Sequence, residues 1–122
     1  MARIPEMYAL QDRIIDEALQ VTAAKGIVLP DADVRATIKR TSFHKFNQPS
    51  MLQHVLAGAR TEIDAINGAL VREAQRIGIP TPYNEALVAM LKGRELHAQQ
   101  TVANASIDYA AWEARIAADP LP

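Results

Sequence analysis

Apolar positions along this chain recur at steps of three and four, and prolines and glycines cut them into short runs. Between Pro5 and Lys25, the residues Met7, Leu10, Ile14, Ala18 and Val21 line one side of a helix. Gly26 follows as its stop, and Pro30 prevents the helix from resuming. Asp31 is placed to cap a second helix over roughly 31–42, with Val34 and Ile38 on its apolar side. The segment 43–49 has no periodicity and reads as a loop. Ser50 is expected to cap a short helix through Met51, Leu52, Val55 and Leu56 that ends near Gly58.

The clearest pattern comes next. Thr61-Glu62-Ile63-Asp64 is close to a capping box, with Asp64 where Glu or Gln is usual. Behind it Ile63, Ile66, Leu70, Ala74 and Ile77 form a stripe expected to lie in the core, closed by Gly78. Gly68 within that stripe predicts the close approach of another helix. Pro80-Thr81-Pro82 reads as a rigid, non-helical connector to a fifth helix from Asn84 through Leu87, Met90 and Leu91. Ser106 is the candidate cap of a last helix through Tyr109, Trp112 and Ile116, stopped at Asp119-Pro120. With no alternating strand pattern, the expected fold is all-α, with about six helices in one domain over residues 1–122.

Composition narrows the chemistry. A net charge of −1 from 13 basic and 14 acidic residues leaves no electrostatic footprint for nucleic acid or an anionic membrane. The absence of cysteine excludes disulfides and thiolate chemistry. No run approaches the roughly 18 apolar residues of a membrane span, and Met1 to Glu6 has no signal-peptide character, so a cytoplasmic location is expected. Gly26, Gly58, Gly68, Gly78 and Gly93 lie too far apart for a phosphate-cradling turn, and His44, His54 and His97 lack metal-ligand spacing.

Taken in order, Asn47-Gln48-Pro49-Ser50-Met51-Leu52-Gln53, Thr61-Glu62-Ile63-Asp64-Ala65-Ile66-Asn67-Gly68 and Gly78-Ile79-Pro80-Thr81-Pro82-Tyr83-Asn84 resemble three motif blocks of the ketopantoate reductases (2-dehydropantoate 2-reductases). The blocks fall in that family's helical C-terminal domain, of the 6-phosphogluconate dehydrogenase C-terminal-like kind. The upstream segment from Glu17 to Gly26 fits the same pattern. The resemblance implies an NADPH-dependent reduction of ketopantoate to pantoate, in pantothenate biosynthesis, at a cleft between this domain and a Rossmann domain. It assigns substrate contact to Ser50 and, more loosely, to Asn47, and a catalytic role to Glu62. Each has an ordinary structural alternative: a helix cap for Ser50, a loop residue for Asn47, and a first-turn acid stabilised by the helix dipole for Glu62.

The sequence also departs from the family. The glycine-rich nucleotide turn is absent, as is the helix that carries the family's catalytic lysine. No lysine precedes Lys25, and the usual Asp after the S-M-L-Q block is His54. The chain alone is therefore expected to bind no cofactor and to lack a proton donor for the nascent alkoxide. It would act with a separate Rossmann-domain chain or, alternatively, as a non-catalytic helical self-association module. A homodimer is expected in either case.

Overall fold

The computed structural model describes residues 4–44, 48–102 and 108–118. These form α1 (Pro5–Ala24), α2 (Val34–His44), α3 (Ser50–Leu56), α4 (Asn67–Arg76), α5 (Pro82–Val102) and α6 (Tyr109–Ala118), with no strand among the described residues. The all-α expectation holds.

Three helices end in the same way. Gly26, Gly58 and Gly78 adopt φ of +67°, +66° and +74°. The residue after each donates its N–H back five residues: Ile27 to Thr22 O, Ala59 to His54 O and Ile79 to Ala74 O, each at 2.9 Å. This is the left-handed glycine stop, which satisfies the last carbonyls of a helix. The helix starts differ more from expectation. Asp31 makes an Asx turn with the Asp33 N–H (2.9 Å), and Asp33 caps α2 by accepting the Ala36 N–H (3.0 Å). Pro82 does not separate helices but opens α5, where its missing N–H costs nothing and its fixed φ suits the first turn. Ser106 lies outside the described residues, and the Ala111 N–H near the start of α6 goes to Asp108 Oδ1 at 3.0 Å.

The core forms where α1, α4 and α5 pack together. Its buried apolar residues are Ile15 and Val21 of α1, Ile63, Val71 and Ala74 around α4, and Ala98 of α5. The stripe expected from Ile63 to Ile77 is only half correct. Ile63 and Ala74 are 1% and 0% exposed, but Ile66 and Ile77 are 58% and 37% exposed. The cause is local. α4 begins at Asn67, and Ile66 has φ −100° and ψ −86°, so the turn holding Ile63 is out of register with the helix behind it.

α2 is held by charge. None of its residues is buried. Arg35 pairs with Asp12 (3.2 Å) and Asp16, Lys39 reaches Asp12 at 2.6 Å and lies 3.5 Å over the Tyr8 ring, and Gln11 donates to Ser42 at 3.0 Å. Lys39, and then Arg35, hold the Asp12 carboxyl below its ordinary range. A depressed carboxylate stabilises the fold above its unfolded pKa and loses that contribution as pH falls through its folded value. Amide NMR signals of residues 34–44 are therefore expected to move toward coil positions below pH ~4, ahead of those of α4 and α5, and earlier in 1 M salt. Simultaneous loss of all helices would count against a separately held α2.

Candidate functional site

The second motif block shows how this sequence builds a turn instead of a helix start. Thr61 Oγ1 accepts the Ile63 N–H at 3.3 Å. The Glu62 carbonyl accepts from Ala65 (3.0 Å) and Ile66 (3.1 Å), and the Gly68 N–H reaches Ile63 O at 2.9 Å before α4 takes over. The predicted capping box is thus half made. Asp64 does not bond back to the Thr61 N–H but accepts from Lys92 Nζ of α5 at 3.0 Å, which lowers its pKa. The Thr61 N–H and hydroxyl both donate to Glu95 Oε1, each at 2.6 Å. A carboxylate 34 positions away therefore fills the role sought three positions away. Gly68 is explained by the same turn. A Cβ there would stand 3.3 Å from Asp64 Oδ1, 3.3 Å from Arg72 Nη1 and 3.4 Å from the Ile63 carbonyl, so the crowding is with its own loop and not with a neighbouring helix.

On this turn Glu62 points outward, its side chain 45% exposed, with Oε2 3.4 Å from His54 Nδ1. His54 lies one helical turn beyond Ser50 on α3, so the two share a face. Ser50 itself is exposed and occupies the first helical position. The cap residue is Pro49, which offers no side-chain bond, so the expected Ser50 cap is not made. Asn47 lies outside the described residues. His54, the residue that follows the first block, thus meets Glu62 of the second, while no hydrogen bond joins Ser50 to Glu62 among the described residues.

The second and third blocks meet in the interior. Asn67 Nδ2 donates to Asn84 Oδ1 at 2.8 Å. Asn84 Nδ2 donates to Glu17 Oε2 (2.6 Å) and Ile14 O (3.2 Å). Glu17 also accepts the Tyr83 and Asn84 backbone N–H groups at 2.8 and 2.9 Å, capping α5 from α1. Asn84 and Thr81 are wholly buried and Glu17 is 6% exposed. Sequence reasoning missed this network, although a signal existed: Glu17 stands within the apolar stripe Ile14, Ala18, Val21, where a charge needs partners.

Residues 1–95 match the sequence pattern of the family described as ketopantoate reductase PanE/ApbA C terminal. The chain belongs to the ketopantoate reductase family, as its C-terminal domain. It is 36% identical over 91 residues to the 2-dehydropantoate 2-reductase of Pyrobaculum aerophilum, covering 75% of this chain and 33% of that one. It is also 36% identical over 104 residues to the 2-dehydropantoate 2-reductase of Aquifex aeolicus, covering 79% and 32%. The crystal structure of a PanE/ApbA family ketopantoate reductase from Ralstonia eutropha JMP134 superposes with a TM-score of 0.70 at 35% identity, covering 75% of this chain and 31% of that one. The chain spans about one-third of the length of these relatives.

The glycines of this ketopantoate reductase domain serve its helices. Its three positive-φ glycines all terminate helices, and Gly68 and Gly93 lie within α4 and α5, which leaves no turn to cradle a phosphate among the described residues. Nor do the described residues contain a cluster of three His, Asp or Glu able to hold a metal ion. No described helix is long and apolar enough to cross a membrane. Lys25 pairs with Glu73 and Lys92 with Asp64, so neither ammonium is directed at Glu62.

Proposed function

We propose that this chain supplies the substrate-side wall of a ketopantoate reductase active site, in which Ser50, Asn47 and Glu62 contact a 2-oxo acid and a separate nucleotide-binding domain holds NADPH. The observation that carries the reading is the contact of His54, directly behind the first motif block, with Glu62 of the second. The Ser50 face of α3 turns toward Glu62 through the His54 contact at 3.4 Å, and both polar groups remain exposed. A serine hydroxyl can donate to a carboxylate or carbonyl oxygen, and an ionised glutamate can accept from a substrate hydroxyl. That pair suits a hydroxylated 2-oxo acid such as ketopantoate. The named activity of the relatives supports reduction of 2-dehydropantoate as the reaction of the completed enzyme, and on this reading it serves pantothenate biosynthesis in the cytoplasm. The proton donor for the new alcohol comes from outside this chain, in the family from the lysine-bearing helix that this sequence lacks.

The test is reconstitution. The full chain is mixed with the remainder of a relative, its nucleotide-binding domain together with the helix that carries the catalytic lysine, and with NADPH and ketopantoate, and NADPH oxidation is followed. Turnover is expected only when both chains are present. Turnover by this chain alone would overturn the proposal, as would inactivity in a mixture where the two chains bind.

Self-association as a homodimer is the second reading, favoured by Leu56, Met90 and Leu96, which stand 66%, 61% and 58% exposed. Sedimentation at micromolar concentration should give a dimer, and a monomer there would remove this reading.

A further inference from the structure

Glu62 reaches solvent from a segment that no regular helix supports. The residues on either side of it are nevertheless fixed. Thr61 is 8% exposed and Ile63 is 1% exposed. Thr61 gives both of its donors, the backbone N–H and the hydroxyl, to a single oxygen of Glu95 at 2.6 Å each. On the far side Asp64 accepts from Lys92 at 3.0 Å, and its carbonyl accepts from Arg72 at 3.0 Å. Lys92 and Glu95 are three residues apart on α5 and therefore share one face of it. That face grips the turn from below, at the rim of a shallow charged cleft of about 380 Å³ that also includes Arg60, Leu96 and Gln99.

We propose that Glu95 is a positioning residue for Glu62: by holding Thr61, it fixes the direction in which the Glu62 carboxylate leaves the turn and keeps it against His54 and the Ser50 face of α3. The proposal rests on the reading of Glu62 as a substrate-contacting group, and it adds a residue outside all three motif blocks.

The chemistry suits an acid in this place. A carboxylate oxygen accepts two donors readily, and such charge-assisted bonds are about twice as strong as neutral ones. The Thr61 hydroxyl, and after it the Thr61 N–H, hold the Glu95 carboxyl below its ordinary range, so it remains ionised at neutral pH. Glu95 does not touch the Glu62 side chain. It acts through one peptide unit, on the side of Glu62 away from the Ala65 and Ile66 N–H groups that hold the Glu62 carbonyl. A displacement of about 1 Å at a reacting group can cost about 10²-fold in rate.

Two readouts test the proposal, and the first does not depend on catalysis. In the full chain, E62Q should shift the ring nitrogen and proton NMR signals of His54, because the two side chains touch. In an E95A background the same E62Q change should leave those signals unmoved. E95Q, which keeps an oxygen to accept from Thr61, should restore at least part of the response. Should E95A fail to fold, T61V removes the hydroxyl, which donates to Glu95 and accepts the longer bond from the Ile63 N–H, while it keeps the backbone bond to Glu95, and it should weaken the response. An undiminished response to E62Q in both E95A and T61V would overturn the proposal, whether or not the reconstituted enzyme is active. The second readout uses the reconstituted enzyme. There E95A should lower kcat/KM by about 10²-fold, mostly through kcat, with the loss largely recovered in E95Q. Equal losses in E95A and E95Q, tracking melting temperature, would show a purely structural role and overturn it as well.

Discussion

Glu17→Ala is expected to cost about 3 kcal/mol of folding stability and to lower the melting temperature by about 10 °C. The reason is the number of donors that would lose their acceptor together. The Tyr83 and Asn84 backbone N–H groups sit in the first turn of α5, where no intrahelical carbonyl is available, and Asn84 Nδ2 is buried with them. Domains of this size hold only about 5–15 kcal/mol in total, so the loss is a large share. Glu17→Gln should also destabilise, by a smaller amount, because its oxygen can serve Tyr83 while its NH₂ faces the Asn84 donors. Asn84→Ala removes the other end of the network. Since the two changes share the Asn84 Nδ2–Glu17 bond, Glu17→Ala with Asn84→Ala should cost less than the sum of the two alone. Chemical denaturation followed by helical circular dichroism measures all four variants. Additive losses would mean that Glu17 caps α5 without coupling to Asn84.

The same network explains why the family was legible in the sequence while much of the site was not. Asn67, in the second block, bonds to Asn84, in the third, and Asn84 bonds to Glu17, in the upstream segment that also fitted the family. The features that made the resemblance specific are thus partly a folding device: they join α1, α4 and α5, the elements that make the core. Helix stops were readable because a left-handed residue after a helix strongly favours glycine, as at Gly26, Gly58 and Gly78. Helix starts were less so. Asp31 and Asp33 are equally good caps by type, and only the backbone path decides that Asp33 meets the Ala36 N–H. The block from Thr61 to Gly68 misled because its apolar spacing suits a helix, while Thr61 binds a carboxylate from α5 that no local pattern reveals. Periodicity records which side of an element is apolar, but it carries no trace of partners 34 or 67 residues away.

That the helix begins at Asn67 also changes what Glu62 can be. An acid in the first turn of a helix has a ready structural role beside the positive end of the dipole, but Glu62 lies ahead of α4, on an offset turn, and meets His54. Glu62→Gln keeps the shape of the side chain and removes its charge. In the reconstituted reductase it is expected to lower kcat/KM by about 10²–10³-fold, while the melting temperature of the chain stays close to wild type, since the side chain is 45% exposed. Ser50→Ala should weaken ketopantoate binding with a smaller effect on kcat, because a lost neutral hydrogen bond is worth only about 1 kcal/mol. His54→Ala separates orientation from contact. If His54 only steadies the carboxylate, its loss should be milder than that of Glu62→Gln, and it should vanish in the double variant, where there is no charge left to orient. A Glu62→Gln variant that melts early yet turns over normally once folded would return Glu62 to a structural role and leave Ser50 and Asn47 as the site's remaining candidates.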